Sequence, residues 1–145
     1  MDSTREDDAM SEYKKPLPVT QPWSEEFWKG TKQRKFLIQH CNDCGKNIFY
    51  PRKFCSECWS SNLGWIESKG KGNLHSYTIT MYGVEEKFAE DLPFVLALVD
   101  LDEGIRVMSR VVNCEHEDIK CDMPVEVVFE DVTEEFTLFY FQPAR

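Results

Sequence analysis

The sequence predicts a mainly β protein, and three observations carry that prediction. Two Cys-x-x-Cys pairs lie between residues 41 and 58, a spacing typical of a small β module built around one metal ion. A short aromatic segment beginning near Ser24 has the pattern of a helix. After residue 70, five runs rich in β-forming residues are separated by turn signals. Together these features predict an N-terminal helix, a zinc ribbon and a C-terminal five-stranded OB-fold barrel.

Changes in composition divide the 145 residues into three predicted segments. Residues 1–21 are acidic, contain prolines and have few large apolar side chains, which predicts a flexible tail. Residues 22–69 contain the predicted helix and ribbon, and residues 70–145 contain the predicted barrel. A chain of this length can bury one ordinary core, or two very small modules that share one.

The predicted helix begins at Ser24, which is a suitable N-cap residue, and runs to about Gln33. Its aromatic residues are Trp23, Phe27 and Trp28, which give it one heavily aromatic side. Two interpretations stay open from the sequence. This side packs against the core of its own chain, or it anchors another subunit, since aromatic residues are enriched in interface cores.

A short predicted strand leads into each cysteine pair: Phe36–His40 into the first, and Asn47–Pro51 towards the second. Gly45 directly follows the first pair and can take the positive φ of a tight turn. A tetrahedral site filled by four thiolates has no open position for water or substrate, so it is structural. The predicted zinc ligands are Cys41, Cys44, Cys55 and Cys58.

Iron is the alternative metal, because a rubredoxin also holds one ion with two such pairs. Rubredoxins usually carry a glycine after the second cysteine of each pair. Gly45 fits this pattern, whereas Trp59 occupies the corresponding position in the second pair. A pair of redox-active dithiols would need a βαβ context, which the sequence lacks. The sequence therefore favours zinc over iron.

The barrel half contains five predicted strands joined by recognisable connections. Asp102-Glu103-Gly104 is a tight hairpin between the second and third strands, and Glu115–Lys120 is a turn of helix after the third. The last strand is apolar on both faces, as expected where a sheet closes or meets a second module. The predicted strands are Asn73–Met81, Phe94–Leu101, Ile105–Val112, Val125–Glu130 and Glu135–Gln142.

Charge is distributed unevenly over the chain, whose net charge is −9. Residues 29–54 contain seven basic residues against Asp43 alone, whereas residues 85–135 contain sixteen acidic residues against four basic ones. An acidic barrel repels nucleic acid, so we expect no nucleic-acid partner. The basic segment is suited to a phosphate, a small anionic cofactor or an acidic partner, and is otherwise a solvated surface.

No group of residues has the spacing of a catalytic site. Cys114 and His116 lie two positions apart with no acid or amide placed to complete a triad, and Cys121 is expected to be semi-buried like Cys114. His40 and His75 are isolated, and no Rossmann or Walker motif is present. The N-terminus has no secretory pattern and no apolar run could cross a membrane. We therefore expect a cytoplasmic protein that has no catalytic residue and no membrane partner.

Several motifs follow one another in a characteristic order from about residue 22 to residue 142. They are the aromatic helix, the first cysteine pair, Phe49-Tyr50-Pro51-Arg52, the second pair, Gly72–Thr78, Ala97–Gly104 and Met123–Val127. In this order they resemble the family of OB-fold, acyl-CoA-associated proteins with an N-terminal rubredoxin-like zinc ribbon. The chain departs from its relatives at Asp122-Met123, where Gly-Met is common, and in its aromatic Phe139-Tyr140-Phe141.

The resemblance implies a non-catalytic accessory subunit in a hetero-oligomer. Such proteins accompany thiolases, hydroxymethylglutaryl-CoA synthase assemblies, and hydratase or aldolase subunits. We expect a thiolase-like catalytic partner, with benzoylsuccinyl-CoA thiolysis in anaerobic toluene degradation as the candidate pathway. Lys46, Arg52 and Lys53 are the candidate contacts to the phosphates of CoA or acyl-CoA. The alternatives are a single-stranded nucleic-acid binder, a rubredoxin-like electron carrier and an enzyme whose site the sequence does not reveal.

Overall fold

The computed structural model describes residues 13–145 and confirms the predicted mainly β class. The one α-helix of these residues is α1, Glu25–Lys32. The strands are β1 Leu37–Cys41, β2 Asn47–Ile48, β3 Leu63–Glu67, β4 Lys71–Thr80, β5 Phe94–Leu101, β6 Arg106–Val111, β7 Pro124–Asp131 and β8 Thr137–Pro143. Two short 3-10 helices lie at Glu86–Asp91 and His116–Asp118, and the second falls within the predicted helical turn.

The predicted tail, residues 1–21, lies only partly within the described residues. Residues 1–12 fall outside them, and residues 13–21 form no helix or strand. The Nζ atom of Lys15 lies 2.5 Å from a carboxylate oxygen of Asp91, so this part of the segment contacts the barrel half of the chain.

Ser24 stands at the N-cap position of α1, although its hydroxyl makes no capping hydrogen bond to the first helical turn. It accepts a hydrogen bond from the backbone N–H of Gln21 and donates one to the carbonyl oxygen of the same residue. The hydroxyl therefore fixes the chain that enters the helix.

The aromatic side of α1 packs inside the chain. The Phe27 ring is fully buried and makes edge contacts with the rings of Phe36, Phe49 and Phe139. Trp28 is also buried, and its indole N–H donates to the Tyr50 hydroxyl at 2.9 Å. The structure thus favours the first interpretation of these aromatic residues, because two of the three belong to the chain's own core. Trp23 alone remains 37% exposed.

The C-terminal strands close into a barrel in the order β4-β5-β6-β8-β7, as predicted for an OB fold. Neighbouring strands are antiparallel except β6 and β8, which pair in parallel through Val111 and Phe141. Gly72 lies where β4 crosses β5, and a Cβ atom there would sit 2.2 Å from the carbonyl oxygen of Asp100. That position therefore requires glycine.

A second sheet, in the order β2-β1-β3, forms the ribbon. Strand β3 was not predicted, although its residues 63–67 fall within the predicted ribbon segment, 22–69. It pairs antiparallel with all of β1, and Gln39 lies opposite Trp65.

Hydrogen bonds fix the ribbon against the barrel at the predicted hairpin. The carboxylate of Glu103 accepts the Ser68 hydroxyl at 2.5 Å and the backbone N–H of Lys69, and its carbonyl oxygen accepts the Asn47 side chain. At the other side, Arg34 forms a bidentate ion pair with Asp131, with both N···O distances 2.8 Å. The two modules therefore share both an aromatic core and polar contacts.

Candidate metal centre

Two tight turns bring four cysteine side chains together at the end of the ribbon. Cys41 ends β1, and its partner Cys44 lies in the turn that leads to β2; Cys55 and Cys58 lie in the segment between β2 and β3. The four sulfur atoms lie within 4.8 Å of one another. The Sγ atoms of Cys41 and Cys58 are 3.6 Å apart, as are those of Cys44 and Cys55.

The two turns are built alike. In the first, the N–H of Cys41 donates to the carbonyl oxygen of Lys46, and the N–H of Gly45 donates back to Cys41. In the second, the N–H of Cys55 donates to Ser60, and the N–H of Trp59 donates back to Cys55. The backbone also turns alike, since φ is 79° at Gly45 and 63° at Trp59.

The donor set fits a zinc ion. A tetrahedron with Zn–S bonds of about 2.3 Å has S···S edges of about 3.8 Å, close to the two separations of 3.6 Å. Backbone N–H groups of Cys58 and Glu57 lower the pKa of the Cys55 thiol to about 7, whereas burial and the neighbouring cysteine side chains raise the pKa of Cys58 to about 12. Bound zinc would be held by these four cysteines and would supply shape, because four protein ligands leave no position for substrate. Among residues 13–145, this is the one cluster of three or more metal-ligating side chains.

The three candidate phosphate contacts occupy different surroundings. Arg52 and Lys53 line a groove of about 370 Å³, together with Trp23 and Trp65. Lys46 is not among the residues that line this groove, and its ammonium lies 2.6 Å from the Glu57 carboxylate. This groove could not be predicted from the sequence, because Trp23 and Trp65 are far apart along the chain and only the fold brings them beside the basic pair.

The remaining cysteines are separate from the metal centre. Cys114 is half-buried, and burial raises the pKa of its thiol, which makes it a poor nucleophile at neutral pH. Cys121 is exposed, so the prediction of a semi-buried side chain was wrong at that position. Residue 121 lies in a surface turn between the 3-10 helix and β7, where no strand covers it.

His40 and His75 contact other polar side chains and not a second histidine. His40 lies 2.7 Å from the Asn47 amide oxygen, and His75 lies beside the cross-strand pair of Asp100 and Arg106. No helix in the described part of the chain is long and apolar enough to cross a membrane.

The fold and the cysteine site define a two-module protein, a zinc ribbon joined to an OB-fold barrel. Comparison with family models places both modules. Residues 28–64 match the rubredoxin-like zinc ribbon domain of ChsH2, and residues 65–130 match its C-terminal OB-fold domain. The chain belongs to this ChsH2/DUF35 family, which confirms the resemblance seen in the sequence motifs.

Known relatives fall into two groups. The chain is 39% identical, over 74% of its length and 82% of the relative's, to a DUF35 domain-containing scaffold protein of Methanothermobacter thermautotrophicus. It is 33% identical to a probable enoyl-CoA hydratase alpha subunit of Thermomonospora curvata, over 81% of this chain but 37% of that longer protein. The second group therefore carries additional sequence that this chain does not match.

Two solved structures have the same fold. A chain of the Ltp2-ChsH2(DUF35) aldolase superposes with a TM-score of 0.79 at 29% identity, covering 89% of this chain and all of that one. A DUF35-family protein of unknown function from Sulfolobus solfataricus has a TM-score of 0.61 at 20% identity and covers 98% of each chain. The latter likeness supports the fold alone.

Proposed function

We propose that this chain is a non-catalytic, zinc-binding scaffold subunit of an acyl-CoA enzyme complex. The observation that carries the proposal is the closed set of four cysteines, which suits a structural ion and leaves no position for substrate at the metal. Relatives named as scaffold proteins support the same role. In this role the ion holds the ribbon in a shape that the catalytic subunit recognises.

The partner's reaction class is proposed from the relatives and from the motifs. Relatives named as a probable enoyl-CoA hydratase alpha subunit and a 3-oxo-4,17-pregnadiene-20-carboxyl-CoA hydratase alpha subunit support a hydratase-like partner, and a neighbour named as an aldolase supports an aldolase-like one. The motif resemblance supports a thiolase-like partner, including one that cleaves benzoylsuccinyl-CoA in aromatic degradation. These are three forms of the same proposal, and they differ only in the chemistry of the catalytic subunit.

Affinity purification of the tagged chain from its native cells tests the scaffold role. We expect a larger catalytic subunit to co-elute in fixed ratio. The chain alone should show no turnover in thiolysis, enoyl-CoA hydration or retro-aldol assays, whereas the complex should be active in one of them. Turnover by the chain alone, or recovery of the chain without any acyl-CoA enzyme, would contradict the proposal.

CoA is proposed to contact the groove lined by Arg52 and Lys53. Its 3′-phosphate and diphosphate would accept charge-assisted hydrogen bonds from the two side chains, and its adenine would lie against Trp23 or Trp65. We expect Lys46 to contribute less, because Glu57 already neutralises it.

Charge reversal at the groove tests the CoA contact within the purified complex. Arg52→Glu combined with Lys53→Glu should weaken CoA binding at least tenfold in a calorimetric titration. The matched control is Lys35→Glu, which changes an exposed charge on the same module outside the groove. Equal CoA affinity in the double variant and the wild type would exclude the groove and leave the scaffold role untouched.

A further inference from the structure

The second cysteine turn carries two exposed aromatic side chains at its ends. Trp59, directly after Cys58, is 77% exposed, and Phe54, directly before Cys55, is 43% exposed. Hydrogen bonds from Cys55 to Ser60 and from Trp59 to Cys55 close this turn, so its backbone holds both residues at the tip of the ribbon. An indole that is exposed to water does not gain the free energy that its burial would provide.

Trp59 also occupies an unfavourable backbone conformation. Its φ of 63° lies in the left-handed region, where a side chain bearing a Cβ crowds the backbone. The equivalent residue of the first turn is Gly45, with a φ of 79° and open space around it. Glycine would therefore satisfy the second turn as well, and the chain holds a tryptophan there instead.

Few contacts in the described part of the chain offset this choice, since the residue is 77% exposed. Trp59 is absent from the contacting aromatic pairs of residues 13–145, and its indole N–H has no hydrogen-bond partner among them. Strain and exposure at one large residue are typical of a position kept for an interaction outside the chain.

The charges around the tip indicate what kind of surface it meets. Lys46 is paired with Glu57, and the Asp43 carboxylate accepts hydrogen bonds from Ser60 and Asn62. Four thiolates around a zinc ion add net negative charge. The ammonium of Lys53 lies 5.6 Å from the centre of the Phe54 ring, so the tip combines exposed aromatic side chains with one cation. The net charge of −9 on the whole chain opposes nucleic acid, and exposed tryptophan and phenylalanine side chains suit the apolar core of a protein interface.

We infer that Trp59 is the anchor by which the ribbon docks, its indole filling an apolar pocket of the catalytic subunit. Phe54, at the other end of the same turn, adds a second exposed aromatic ring to the docking surface. The inference rests on the proposed scaffold function and adds to it the surface that the partner recognises. It also accounts for the strained tryptophan, because its side chain contributes binding free energy only when it is buried in the complex.

The decisive variant is Trp59→Gly, because it should separate stability from docking. Glycine relieves the left-handed strain, and little packing is lost at an exposed residue, so Tm of the zinc-loaded chain should rise by about 2–4 °C. Zinc content should stay at one per chain. Binding to the purified catalytic subunit that co-elutes with the wild-type chain should weaken about 30-fold or more.

Two further variants complete the test. Met108→Ala removes an apolar side chain that is 62% exposed on the barrel, and it should leave partner affinity within about twofold of wild type. Trp59→Phe keeps an aromatic anchor and should recover most of the affinity lost in Trp59→Gly.

The outcomes separate the two proposals. If the wild type binds the catalytic subunit and Trp59→Gly binds it equally well, the anchor is wrong and the scaffold role stands. If the wild type binds no catalytic subunit, both are wrong. Binding of a labelled single-stranded oligonucleotide that Trp59→Gly abolishes would replace the protein pocket with nucleic acid and overturn the inference.

Discussion

The ribbon and the barrel are stabilised in different ways. The barrel encloses a continuous apolar core, which includes Leu74, Val99, Val107 and Val125, all fully buried. The end of the ribbon that carries the cysteines has one buried aliphatic residue, Ile48, beside Cys41 and Cys55. Apolar burial can fold the barrel, whereas the ribbon tip needs an ion to order it. The region that depends on the metal is also the one that exposes the proposed docking residues.

Only the cysteine end of the ribbon lacks an apolar core, because the opposite end of the ribbon packs into the core of the barrel. Phe36 and Ile38 on the ribbon side join the same buried cluster as the barrel residues, through Phe27 and Phe139. We therefore expect loss of the ion to release the cysteine turns while this aromatic junction stays packed.

The largest expected effect comes from breaking the metal centre with Cys41→Ser. Structural zinc contributes about 10–16 kcal/mol to folding of a small ribbon at pH 7. Hydrogen exchange should show amides of residues 41–62 losing protection while those of β4–β8 keep it. Cys121→Ser, which changes an exposed cysteine outside the centre, is the control and should behave as wild type. Uniform loss of protection through the barrel would contradict the proposed independence of its core.

The junction itself is tested by Phe27→Ala. This buried ring contacts both modules, and its removal leaves a cavity between them that should cost about 3–5 kcal/mol. Both modules should lose stability together in a single denaturant transition. Met108→Ala is the control for removal of an exposed side chain, and it should change the free energy of unfolding by less than about 0.5 kcal/mol. Two separate transitions in Phe27→Ala would show that the modules do not share a core.

A smaller effect is expected at the hairpin that holds the ribbon to the barrel. Glu103→Ala removes the acceptors of the Ser68 hydroxyl and the Lys69 N–H, and should cost about 1 kcal/mol. Zinc content should not change. The matched control, Glu85→Ala, removes an exposed carboxylate whose nearest cation is 4.0 Å away. Loss of zinc in Glu103→Ala would show that the hairpin stabilises the metal centre itself, and not only the contact between ribbon and barrel.

The smallest effect concerns pH and lies on the barrel surface. The Arg106 guanidinium holds the pKa of Asp100 below its ordinary value. A lowered pKa in the folded chain means that the pair stabilises the barrel above about pH 4 and loses its effect as pH falls below that. Asp100→Asn should therefore lower Tm slightly at pH 7 and make no difference near pH 2. A difference in Tm that grew towards acid pH would contradict this pairing.

How much the sequence could predict follows from the range of the interactions involved. The cysteine turns are local, so two Cys-x-x-Cys spacings predicted four thiols that the structure places within 4.8 Å. The five barrel strands were predicted because their alternation and the Asp-Glu-Gly turn are local as well. Strand β3 was missed because its five residues have no clear alternation, and four of them are half-buried. Its pairing with β1 depends on residues that lie more than twenty positions away.

The same reasoning explains why the surface was harder to predict than the metal centre. Whether Phe27 faced the core or a partner depended on Phe139, more than a hundred positions further along the chain. The groove of Arg52 and Lys53 likewise needs Trp23 and Trp65 to approach from different elements. Trp59 gave a signal in the sequence, as the residue that replaces a glycine, but its strain became visible only with its φ.

We propose that this chain supplies its partner with a metal-ordered ribbon rather than with a catalytic group. Calorimetric titration of the purified catalytic subunit with zinc-loaded and zinc-depleted chain tests it most directly. We expect tight binding by the loaded chain, binding at least 100-fold weaker by the depleted chain, and recovery when one equivalent of zinc is restored. Equal affinity of the loaded and depleted chains would contradict the claim, because the shape held by the metal would then play no part in docking.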